Sequence, residues 1–75
     1  MAKLRRISGE EAIRALKKLG FTKIRQRGSH VILKKHTDEG DIGCVVPLHD
    51  ELAIGTLRGI LKQAKLNPDE FVEKL

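Results

Sequence analysis

Tryptophan and tyrosine are absent from this chain, and phenylalanine occurs only twice. Phe21 and Phe71 both fall where a core needs them, so no aromatic platform remains on which single-stranded bases could stack. Cysteine occurs once, at Cys44, which rules out an intramolecular disulfide. In its apolar run that residue acts as a small hydrophobe, and the chain suits a reducing cytosol. Apolar stretches fall far short of a membrane span, and the segment from Met1 to Arg6 is too short and too quickly interrupted by charge for a signal peptide. Neither a membrane partner nor export is expected. A phosphate-binding glycine loop is missing, and no serine or cysteine has a paired base and orienting acid in the sequence. The acids Asp38, Glu39 and Asp41 beside His36, and Asp50 and Glu51 after His49, match no metal-binding loop. No metal or other cofactor is expected.

What is present is basic and small. The 75 residues predict a single domain over 1–75, with no room for a deep substrate cavity. Fifteen Lys and Arg against ten Asp and Glu give a formal charge of +5. Nucleic acid leads as the partner class, the bland alternative being a set of solvating side chains.

Periodicity supplies the elements. Ser8 and Glu11 form a capping box, after which Ala12, Ile13, Leu16 and Leu19 recur at helical spacing until Gly20, predicting a helix over about 9–19 with Arg14, Lys17 and Lys18 on its solvated side. Phe21 to Arg27 reads as a strand, Gly28-Ser29 as a turn, and His30 to His36 as the partner strand. Thr37 to Asp41 reads as a polar loop, and Ile42 to Val46 as a third strand closed by Pro47. A second helix is expected near Gly55 with Thr56 as its cap and Leu57, Ile60, Leu61 and Ala64 as its core stripe. Asn67-Pro68-Asp69-Glu70 starts a short third helix anchored by Phe71, Val72 and Leu75.

This order predicts an α+β fold, a three-stranded antiparallel sheet with the helices on one face and the other left open, the α-β-β-β-α layout of a double-stranded-RNA-binding domain. Alternation assigns Val31 and Leu33 to the helices, and His30 and Lys34 to solvent.

The run Arg25-Gln26-Arg27-Gly28-Ser29-His30 concentrates the chemistry. Histidine takes and gives a proton near neutrality, and cations beside it can hold a phosphate, so proton transfer on a phosphodiester is the suggested reaction. An exposed strand histidine after a hairpin turn is the plainer explanation of the same residues. Together with Ser8-Gly9, Gly20-Phe21, Val46-Pro47-Leu48-His49, Gly55-Thr56-Leu57-Arg58 and Ile60-Leu61-Lys62-Gln63-Ala64, this run resembles the HicA family of toxins, in order and spacing over nearly the whole chain. The resemblance implies a double-stranded-RNA-binding-domain-like fold acting as an mRNA interferase, inhibited by a HicB antitoxin, and maps the family's catalytic histidine to His30. Two features depart from the family: the third strand is more apolar, and Lys65 stands where a glycine often closes the second helix.

A metal-free ribonuclease of this size would use the substrate's own 2′-hydroxyl as nucleophile, with His30 as base or acid. Arg25, Arg27 and Lys34 are candidate phosphate ligands, Ser29 a candidate hydrogen-bond donor to phosphate, and His49 the best candidate for a second acid or base, ahead of His36. The chief rival is a non-catalytic RNA-binding module of the same fold that grips phosphates with the first helix, the hairpin loop, Thr56 and Arg58. An interaction protein with an open sheet face is a third possibility.

Overall fold

Ser8 opens the first helix because its hydroxyl accepts the Glu11 amide (3.0 Å) while the Glu11 carboxylate accepts the Ser8 amide (3.1 Å). The Ser8 backbone N–H holds the Glu11 carboxyl below its ordinary value, so the cap is complete at neutral pH and weakens as pH falls through that lowered value. A computed structural model describes residues 3–75; Met1 and Ala2, the head of the charged segment considered above, lie outside the described residues. The elements run α1 (Gly9–Lys18), β1 (Thr22–Arg27), β2 (His30–Thr37), β3 (Gly40–Pro47), α2 (Ile54–Gln63) and α3 (Pro68–Val72). The strands form one antiparallel sheet in the order β1-β2-β3. This is the expected α+β arrangement.

One sheet face is the core. Val31 and Leu33 of β2 and Cys44 and Val46 of β3 are buried against Ala12, Ile13 and Leu16 of α1, Leu57, Ile60 and Leu61 of α2, and Phe71 of α3. Phe21 is buried with them, so both aromatics serve the core. Among the described residues no charged side chain is buried. Burial pushes the Cys44 thiol up to about 11, leaving it an unreactive hydrophobe at neutral pH.

Several boundaries differ from expectation for identifiable reasons. Phe21 terminates α1 instead of starting β1: its N–H reaches the Leu16 carbonyl (3.0 Å) while the Gly20 N–H reaches that of Lys17 (3.1 Å), the paired bonds of a Schellman motif. The segment from Thr37 to Asp41 is a tight hairpin, not a loop, with only Asp38 and Glu39 between the strands and the Thr37 hydroxyl bridging to Gly40. Pro47 belongs to β3, where an edge strand tolerates its missing N–H. The second helix begins at Ile54 with Ala53 as its cap residue and no side-chain cap, so Thr56 lies inside its first turn. Leu75 is 38% exposed and anchors nothing. Asn67 and Glu70, in contrast, form the expected box at α3.

Two backbone constraints are directly testable. Gly9 packs so closely on β3 that a Cβ there would stand 2.1 Å from the Pro47 carbonyl oxygen. Gly9→Ala is expected to destabilise by about 2 kcal/mol and lower Tm by roughly 10 °C in a thermal melt. Lys65 ends α2 in the same motif that Gly20 forms for α1: Leu66 N–H to Leu61 carbonyl (3.0 Å) and Lys65 N–H to Lys62 carbonyl (3.2 Å). Its φ of 56° explains why a glycine suits this position. Lys65→Gly should therefore raise stability by about 0.5–1 kcal/mol in denaturant titration, the relief of strain exceeding the added freedom of the unfolded chain.

Candidate functional site

The sheet face opposite the helices carries His30 and its candidate phosphate ligands, and a bulge decides which cations share it. Directly paired residues on antiparallel strands project to the same side. Lys23 pairs with Leu33 and Arg25 with Ile32, so Ile24 is an extra residue in β1. Without it, alternation from Thr22 would turn Arg25 and Arg27 toward the helical side. With it, Arg25 lies beside Ile32 and Arg27 beside His30, both on the open face. Lys23 and Gln26 take the other side, joined by a 3.0 Å hydrogen bond.

His30 stands at one end of this face, immediately after the Gly28–Ser29 turn, paired with Arg27 on β1 and Pro47 on β3. Gly28 has a φ of 56°, as the first position of a type II′ hairpin requires. The Ser29 carbonyl accepts the Leu48 N–H (2.6 Å), and the Gly9 N–H donates to the His49 carbonyl (2.9 Å). These two bonds bind the hairpin, the segment after β3 and the start of α1 into one rigid corner. The Ser29 side chain remains exposed there.

The three histidines fall into two environments. His30 and His49 are exposed at this corner, and among the described residues their rings have no hydrogen-bond partner. His36 lies at the opposite end of β2, where its Nδ1 meets Asp41 Oδ1 across the ladder. Asp41 also pairs with Lys34 at 3.7 Å, which partly neutralises that candidate phosphate ligand. Sequence proximity grouped Asp41 with the acidic turn; only the register shows that it faces Lys34 and His36. Arg58 is exposed on α2, in the helical layer, so the fold does not bring it onto the face of His30.

The open face is also partly apolar. Ile32 and Val45 are paired at its centre, and Val45 is 38% exposed. The alternation Ile42, Cys44, Val46 against Gly43 and Val45 was the available signal: the apolar excess of the third strand includes an outward residue as well as core. The Val45 N–H on the free edge of β3 donates to Gln63 Oε1 of α2 (3.1 Å).

Two shallow concavities lie away from His30, one lined by Glu11, Arg14, Lys18 and Lys74, the other by Thr37, Glu39, Asp41 and Lys65. Ser29, His30 and His49 are all exposed at their corner. Among the described residues no three His, Cys, Asp or Glu side chains are grouped as metal ligands, and no helix is long and apolar enough to cross a membrane.

A comparison with curated proteins gave no significant match. The family model describing the HicA toxin of bacterial toxin–antitoxin systems matches residues 9–66, from the first residue of α1 to the Leu66 that completes the end of α2. With the helix, sheet and histidine corner all inside that match, the chain belongs to the HicA toxin family.

Proposed function

We propose that the protein is an mRNA interferase, an endoribonuclease that cleaves RNA by proton transfer at His30 and is neutralised by a HicB-like antitoxin. The observation that supports this reading most is the bulge-set row of the open face: the exposed His30 is paired across the ladder with Arg27, and Arg25 lies one row away on the same face. Toxin–antitoxin membership implies an antitoxin, and an acidic partner surface laid over this basic face would cover His30.

The chemistry follows from the groups available. The RNA 2′-hydroxyl attacks the adjacent phosphorus, a base removes its proton, and the 5′-oxygen departs after receiving one. Arg25 and Arg27 hold the phosphate and offset the charge that grows on its equatorial oxygens, and the Ser29 hydroxyl donates to a phosphate oxygen. Lys34, already engaged by Asp41, contributes less.

His30→Ala is expected to lower RNA cleavage by at least about 100-fold, in line with loss of a proton-transfer group. Its stability in a thermal melt should stay within about 0.5 kcal/mol of the parent, because the side chain is exposed. A folded variant with full activity would sink the assignment; a parent that retains RNA without cutting it would support the binding module instead.

The products distinguish transesterification from hydrolysis. Cleavage in chelator should yield 2′,3′-cyclic phosphate and 5′-hydroxyl ends, and should stop on a substrate with a single 2′-deoxy at the scissile nucleotide. Ends bearing 5′-phosphate would mark attack by water.

A further inference from the structure

Resting on the reading of His30 as a proton-transfer group, we infer that His49 is the second such group, acting on the opposite side of the scissile phosphate.

In-line displacement places the attacking and departing oxygens on opposite sides of phosphorus. One imidazole cannot reach both, so a second donor or acceptor has to approach from across the phosphate. His30 pairs directly with Pro47, and His49 follows Pro47 by two residues. Chain geometry then limits the separation of the His30 and His49 Cα atoms to about 13 Å, within reach of two imidazoles converging on one phosphate. Leu48 packs half-buried against the core with its N–H on the Ser29 carbonyl, while the next residue, His49, is exposed, so His49 stands in solvent on the segment that leaves Pro47 beside the His30 turn.

The segment is also held still. The Leu48 N–H is bound by the Ser29 carbonyl, the His49 carbonyl by the Gly9 N–H, and the Leu52 N–H by the Ile7 carbonyl (2.7 Å). These bonds hold the backbone on both sides of His49, and among the described residues nothing hydrogen-bonds its ring. His36 has neither property, being at the far end of β2 and bound to Asp41. The charged groups around His49 are Asp50 and Glu51 on its own segment, Arg6 paired with Glu51 (3.4 Å), Glu10 in the first turn of α1, and Arg27 with His30 across the turn.

In the step itself, one histidine takes the 2′-hydroxyl proton as the new O–P bond forms. The other gives its proton to the 5′-oxygen as the old P–O bond breaks. The pair ends with its protonation exchanged and is reset by water, so no further reactant is required.

The experiment compares kcat against pH for the parent, His49→Gln and His30→Ala on one RNA, with a second substrate carrying sulfur at the bridging 5′ position. The parent should give a bell-shaped profile. His49→Gln should lower kcat by about 100-fold or more and erase one limb of the bell. The sulfur leaving group, which needs no proton, should restore whichever histidine variant lacks the acid. If His49→Gln leaves both limbs in place, whether or not the rate falls, His49 is not a proton-transfer group. That result with an inactive His30→Ala overturns this inference alone, whereas an active His30→Ala overturns the underlying reading.

Discussion

The close approach of α1 to the end of β3 is the constraint on which the site depends. Gly9 sits where any side chain would collide with the Pro47 carbonyl, and its N–H is the donor that holds His49. Because Pro47 pairs with His30, this contact sets the position of His30 and His49 relative to α1. The Ser8–Glu11 box fixes the direction in which the helix leaves the contact, so the first turn of α1 does double duty as helix start and corner brace.

The core and the candidate site residues occupy opposite faces of one sheet. The buried part of the inward face, Val31, Leu33, Cys44 and Val46, is packed under the helices, with Lys23 and Gln26 at its exposed β1 margin, while His30, Arg25 and Arg27 stand in solvent on the other side. Substitution at the outward positions therefore changes charge and chemistry with little cost to packing. The edges are managed separately. Gln63 occupies the free N–H of Val45 and Pro47 lacks one, so β3 resists pairing with another strand. The exposed β1 is guarded by its bulge and by Lys23, Arg25 and Arg27.

Most of the fold was legible in the sequence because its signals are local. Ser8 with Glu11 and Asn67 with Glu70 satisfy helix-start amides three residues away, and the α1 and α2 stripes follow from helical geometry alone. The misplaced boundaries occurred where tertiary packing overrode local chemistry. Thr56 looked like a cap, yet burial of Leu57 and Leu61 with β3 starts the helix earlier, at a residue with no capping side chain. Leu75 had the spacing of an anchor, but Phe71 already fills the space against α1 and α2.

The candidate site divides along the same line. Sequence alone determined that a histidine follows a glycine turn between basic residues and that His30 and Val31 take opposite faces. Each of these depends on near neighbours or on a period of two. Only the tertiary structure decided that Arg25 and Arg27 share a face with His30, because a single inserted residue, Ile24, inverts the alternation and nothing in its side chain announces a bulge. It also decided that Asp41 pairs with Lys34 and with His36, and that His49 comes to the corner of His30. Those relations join residues up to nineteen positions apart through strand register and one helix contact, and register is set by the whole buried face rather than by any of the residues it brings together.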